Sequence, residues 1–198
     1  MSERPVHLFL ARHGETEWSL SGQHTGRKDI PLTLAGEDAA RKLGARLRSR
    51  SFAAVFTSPL QRATRTCELS GFTGVARIVP DLMEWDYGDY EGLRGTEVRA
   101  RRPDWRLFRD GCPGGESPQD VGARADRVLP QLQAAGGDVL VFAHGHFLRM
   151  LMSRWMTFAP EQAARFSLDA ASLSILTLDA HTGDPVIERW NDTAHLEP

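Results

Sequence analysis

Arg12 and His13 stand side by side after the apolar run Val6-His7-Leu8-Phe9-Leu10-Ala11 and are followed by Gly14-Glu15-Thr16. A guanidinium at the end of a buried strand is costly unless an anion neutralises it. An imidazole beside that anion is placed to attack it. Phosphoryl transfer through a phosphohistidine needs both groups. As a nucleophile His13 must be neutral, with one ring nitrogen free and the other donating a hydrogen bond that fixes the tautomer. No residue in the sequence identifies that hydrogen-bond partner. Gly14 lets the backbone turn sharply and approach a ligand closely.

Three further segments carry matching chemistry. Arg62 follows Ser58-Pro59, read as the N-cap and first residue of a helix running to about Leu69. A guanidinium fork and a helix N-terminus both favour a phosphate. Taken alone, Arg62 reads better as a solvated helix arginine. His144-Gly145-His146 offers an imidazole to a phosphoryl oxygen as charge builds, with His146 a helix-start residue. A metal at His-x-His lacks a supporting Cys pair or carboxylate cluster, so no metal and no cofactor are expected. Glu84 lies in Asp81-Leu82-Met83-Glu84-Trp85-Asp86-Tyr87-Gly88. The apolar residues there could screen a carboxyl and raise its pKa, suiting it to protonate a leaving oxygen. By type and position Asp81, Glu84 and Asp86 are equivalent candidates.

The elements between these segments place them together. The apolar runs 6–11, 53–57, 76–80, 138–143 and 172–178 read as strands, several buried on both faces. Thr33 is read as the N-cap of a helix presenting Ala40, Leu43 and Leu47 on one face. Ser117-Pro118 opens a helix with Val121, Ala125, Val128 and Leu132 at helical spacing. A helix from His146 to Met156 is apolar nearly all round. Strands alternating with helices give a layered α/β domain whose ligands gather at strand carboxyl ends. Arg12-His13, Ser58 and Arg62, Glu84, and His144-Gly145 each follow a strand. The stretch Gly111-Cys112-Pro113-Gly114-Gly115 reads as a surface loop and lid hinge.

At 198 residues the chain favours one domain over 1–198. Its net charge of −2 provides no basic field for nucleic acid or a membrane surface. No stretch approaches the ~20 apolar residues of a membrane span. Met1-Ser2-Glu3-Arg4-Pro5 enters a strand at once, which leaves no room for a signal peptide. Cys67 and Cys112 are too few for a disulfide framework, so a cytoplasmic location is the default. The Trp and Phe residues fit a core or a homodimer face equally well.

Several blocks resemble the histidine phosphatase superfamily. They are Arg12-His13-Gly14-Glu15-Thr16-Glu17-Trp18, Gly22-Gln23-His24-Thr25-Gly26, Asp29-Ile30-Pro31-Leu32-Thr33 with Gly36, Ser58-Pro59-Leu60-Gln61-Arg62-Ala63, Glu84 to Gly92, Gly115-Glu116-Ser117, Ala143-His144-Gly145-His146 and Asn191 to Leu196. The resemblance implies a phosphoglycerate mutase-like fold, three-layer α/β/α with a mostly parallel mixed sheet. It implies His13 as the phosphorylated nucleophile, a phosphate pocket of Arg12, Arg62 and His144, and Glu84 as proton donor. Ser19, Thr25, Gly26, Tyr87 and Gly145 would contact substrate, with Ser19 standing where mutases usually have Asn. The segment 94–112 is short where mutases carry an insertion, although Arg99, Arg101 and Arg102 lie there. The chain therefore most resembles the branch of small phosphatases similar to mycobacterial acid phosphatase and fungal sedoheptulose bisphosphatase. A small phosphorylated substrate, sugar phosphates in particular, is expected to be hydrolysed without a metal. Mutase-type transfer and a non-catalytic phosphoprotein-binding module are the alternatives.

Overall fold

Strands with few polar residues need cover on both faces, and the chain supplies it with helices on either side of one sheet. The computed structural model describes residues 6–197; the proposed strand entry at residues 1–5 lies outside them. In chain order the elements are β1 (Leu8–Arg12), α1 (Glu17–Ser21), α2 (Leu34–Leu47), β2 (Ala54–Thr57), α3 (Gln61–Cys67) and β3 (Ala76–Ile78). There follow α4 (Gly95–Arg101), α5 (Leu107–Asp110), α6 (Pro118–Gln133), β4 (Val139–Ala143), α7 (Gly145–Trp155), β5 (Leu173–Leu178) and β6 (Pro185–Asp192).

The strand order is β3-β2-β4-β1-β5-β6. The β1–β4, β2–β4 and β2–β3 pairs are parallel, and β5 runs antiparallel to both β1 and β6. The sheet is thus mixed and mostly parallel. Alternate residues of a strand point to opposite faces, and two cores result. Leu8, Leu10, Val139 and Val141 pack with Val121, Ala125, Val128 and Leu132 of α6 and with α7. Phe9, Leu140 and Phe142 pack on the other side with Leu43 and Leu47 of α2 and Cys67 of α3. Among the described residues no helix is long and apolar enough to cross a membrane.

Local chemistry accounts for most helix starts. Thr33 Oγ1 accepts from the Gly36 amide, and Ser117 Oγ accepts from the Asp120 amide with Pro118 next in line. Ser58 keeps part of its reading as an N-cap, since its Oγ accepts the Leu60 amide at 3.3 Å, but the regular helix starts later. The third helix begins at Gln61, and the Asp29 carboxylate, reaching in from a distant loop, accepts the Gln61 amide. That helix ends at Cys67 and continues as one π-type stretch, Glu68–Phe72, in which Gly71 has φ +92°. The third strand stops at Ile78, because Pro80 opens a 3-10 turn. β6 is absent from the sequence reading: its faces are only half-buried and Pro185 heads it, so its pattern is weak.

Gly14 approaches backbone rather than ligand. A Cβ there would sit 2.4 Å from the Gly36 carbonyl oxygen, and a Cβ on Gly36 would sit 2.2 Å from that of Glu15. This contact docks the first turn of α2 against the loop bearing His13. Gly36→Ala must push that loop away and should cost about 1–3 kcal/mol. Urea unfolding checks the cost, and phosphate release should fall with it.

Candidate active site

The carboxyl ends of β1, β2 and β4 converge, and a cleft opens there. Arg12, His13, Ser19, Thr25, Glu84, Tyr87 and Gly145 line it. Arg62 and His144 lie behind His13 and are fully buried. Gly26 is turned away: its amide is held by the Glu91 carboxylate and its carbonyl accepts from Arg62.

His13 is 5% exposed. Its Nδ1 lies 2.7 Å from the Gly14 carbonyl oxygen, which can only accept. The proton is therefore on Nδ1, and Nε2 carries a free lone pair. Burial holds the His13 pKa well below the ordinary 6.5, and the charges of Arg62 and Arg12 push it the same way. The ring is neutral, as a nucleophile requires.

His144 lies with its ring centroid 5.1 Å from that of His13. Arg62 Nε donates to His144 Nδ1 at 3.2 Å, so the His144 proton is on Nε2 and points at Ser58 Oγ, 2.7 Å away. Ser58 Oγ thus meets the second histidine while also accepting the Leu60 amide at 3.3 Å. Arg62 spends three further N–H groups on the carbonyls of Lys28, Thr25 and Gly26. Arg12 donates through Nη1 to the Leu168 carbonyl, and its Nε is buried without a partner. Gly145 makes room for it, since a Cβ there would lie 3.3 Å from Arg12 Cζ.

Glu84 is 5% exposed. Its oxygens accept from the amides of Trp85, His146 and Phe147 at 2.9–3.0 Å, two of them in the first turn of α7. A buried pair holds the loop that presents it: Arg124 binds Glu116 through two N–H groups and also donates to the carbonyls of Asp81, Met83 and Glu84. Asp81 itself pairs with Arg127 outside the cleft, and Asp86 faces Arg27. The stretch read as a lid hinge is tied to the same loop, with Pro113 accepting the Asp89 amide and Asp86 accepting the Glu116 amide.

A family model described as the histidine phosphatase superfamily (branch 1) matches residues 8–193. The chain belongs to this superfamily. It is 39% identical over 179 residues to an acid phosphatase of Mycobacterium tuberculosis, covering 88% of each. It is 37% identical to a sedoheptulose 1,7-bisphosphatase of Saccharomyces cerevisiae, covering 74% of this chain and 66% of the relative. A 2,3-bisphosphoglycerate-dependent phosphoglycerate mutase of Azorhizobium caulinodans is 36% identical, covering 92% and 91%. A solved Mycobacterium tuberculosis structure superimposes with a TM-score of 0.89 at 36% identity, covering 95% and 98%. The mixed six-stranded sheet between helices is the fold of this superfamily member.

In this histidine phosphatase the cleft lining also includes residues to which the sequence reading gave no substrate contact. Trp18, Gln23, His24, His146, Arg149 and Leu168 line the cleft. His24 stacks on Tyr87 at 4.7 Å, and the Tyr87 hydroxyl is hydrogen-bonded to His146 Nδ1 at 2.5 Å. Arg149 lies over the Phe108 ring and donates to the Ala163 carbonyl. It falls one turn after Gly145, a spacing that could have flagged it.

Burial lowers the pKa of His144 and His146 well below 6.5, as it does for His13. Below that value the unfolded chain protonates these rings while the fold keeps them neutral, so unfolding takes up protons. Stability present above pH 6.5 should fall as pH drops, by up to about 1.4 kcal/mol per pH unit for each ring. Urea midpoints between pH 7.5 and 5.5 test this, and a flat profile contradicts the neutral-ring assignment.

Proposed function

We propose that this chain is a phosphatase of small phosphorylated metabolites, sugar phosphates among them, acting through a phosphohistidine on His13. It is a phosphoric monoester hydrolase in the manner of its acid phosphatase and bisphosphatase relatives. One observation carries the reading. A neutral imidazole with a free Nε2 stands among Arg12, Arg62 and Arg149, and among the described residues none of these arginines has a carboxylate ion-pair partner. Such a site attracts an anion and attacks it.

In the proposed reaction His13 Nε2 attacks phosphorus as the bond to the leaving oxygen breaks, while Nδ1–H stays on the Gly14 carbonyl. Guanidinium charge offsets the equatorial oxygens. A proton, carried in by Glu84 or by the substrate monoanion, goes to the leaving oxygen. Water then attacks the phosphohistidine with Glu84 accepting its proton; the P–N bond breaks and neutral His13 returns. No step calls on a metal. Arg99, Arg101 and Arg102 are exposed and do not line the cleft, which supports hydrolysis over mutase transfer. Cys67 and Cys112, both buried and free, fit a reducing compartment.

Two measurements test the reading. Wild-type protein should release inorganic phosphate from an aryl phosphate and from sugar phosphates in the presence of chelator. His13→Ala should lose at least a hundredfold, and a variant keeping a tenth of the activity would remove His13 from its role. Isomerisation of a phosphoglycerate faster than phosphate release, with bisphosphoglycerate added, would favour the mutase. Glu84→Gln should slow alkyl phosphates at least tenfold more than aryl phosphates, because only poor leaving groups need the proton; equal losses would confine Glu84 to water attack.

A further inference from the structure

The conserving of Arg12's orientation falls to a loop that the proposed reaction does not itself use. Arg12 Nη1 donates to the Leu168 carbonyl. This leaves the Nε–Nη2 edge, the side of a guanidinium able to hold two oxygens of one phosphate, and Nε is the buried donor without a partner. The loop 167–172 also runs against the nucleophile's own backbone: Ala171 donates its amide to the His13 carbonyl at 3.0 Å, and the Arg12 amide donates to Ser172 at 3.2 Å.

β6 and the residues after it grip this loop from outside. Trp190 Nε1 donates to the Ser167 carbonyl, and His195 Nε2 to the Ala171 carbonyl. Asn191 holds Asp169 twice, its Oδ1 accepting the Asp169 amide at 2.6 Å and its Nδ2 donating to the Asp169 carboxylate at 2.8 Å. Leu173 pairs with Asp192 and Ile175 with Arg189, so a step of two residues on β5 faces a step of three on β6. That bulge turns Asn191 out of regular pairing, with φ +53°. Asn tolerates this left-handed backbone better than most residues. Its amide is also the group that can accept from an N–H and donate to a carboxylate at once.

We propose that Asn191 is a positioning residue for Arg12, clamping the loop whose Leu168 carbonyl orients the phosphate-binding guanidinium. The inference rests on the reading of Arg12 as a phosphate ligand.

The test is competition by inorganic phosphate against an aryl phosphate, with thermal midpoints measured alongside. Asn191→Gly keeps the left-handed backbone free of strain and removes only the amide. It should raise the phosphate Ki about fivefold with little change in midpoint. Asn191→Asp sets two carboxylates face to face and should do at least as much. The exchanged pair Asp169→Asn with Asn191→Asp restores both hydrogen bonds and should return Ki to within twofold of wild type. An Asn191→Gly protein with wild-type Ki, or an exchanged pair no better than Asn191→Asp, overturns the clamp. Phosphate failing to compete in the wild type would instead sink the phosphatase reading, and the clamp with it.

Discussion

Arg12 and Arg149 line the cleft and Arg62 is buried behind His13, and main-chain carbonyls hold all three guanidinium groups instead of carboxylates. Arg12 rests on Leu168, Arg62 on Thr25, Gly26 and Lys28, and Arg149 on Ala163. A carbonyl satisfies an N–H without cancelling the charge behind it, so the positive field survives for an incoming anion. Arg124 shows the alternative. It too is buried, but Glu116 neutralises it through two hydrogen bonds, and it serves to hold the loop that carries Glu84. Burying unpaired charge is expensive, and the fold meets that cost by bringing carbonyls from separate loops to fixed places. Much of the irregular structure around the cleft is explained by that demand.

The same field sets the state of the nucleophile. Cations beside a buried imidazole favour its neutral form, so the groups that attract phosphate also keep the His13 lone pair available. Tautomers are then chosen by partners with a single capability. The Gly14 carbonyl can only accept, which puts the His13 proton on Nδ1; the Arg62 guanidinium can only donate, which puts that of His144 on Nε2. Arg62 therefore fixes the tautomer of the second ring from behind the cleft.

The strands and amphipathic helices were legible because their periodicity and caps are local. Alternate residues of β1 and β4 feed opposite cores, and Thr33 and Ser117 cap as their sequence contexts suggest. Ser58 was half legible: its hydroxyl accepts an amide of the following turn as Ser-Pro suggests, but no local pattern announces the imidazole it meets from another strand. β6 was missed because a half-buried edge strand carries little periodic signal. Arg149 was hidden in a helix read as apolar nearly all round, and no local pattern around Arg124 announces its pairing with Glu116.

By itself the sequence determined the residue types of the chemistry, their arrival at strand ends and the layered architecture that gathers them, since each is encoded within a few residues along the chain. Tertiary structure alone decided which carboxylate enters the cleft, which tautomer each histidine adopts, and which arginines keep their charge. Those outcomes depend on partners far apart in the chain: Glu84 meets the start of α7, and Arg62 meets the loop at 25–28. A hydrogen bond between such segments has no local pattern to announce it. It exists only once the sheet has set their ends side by side.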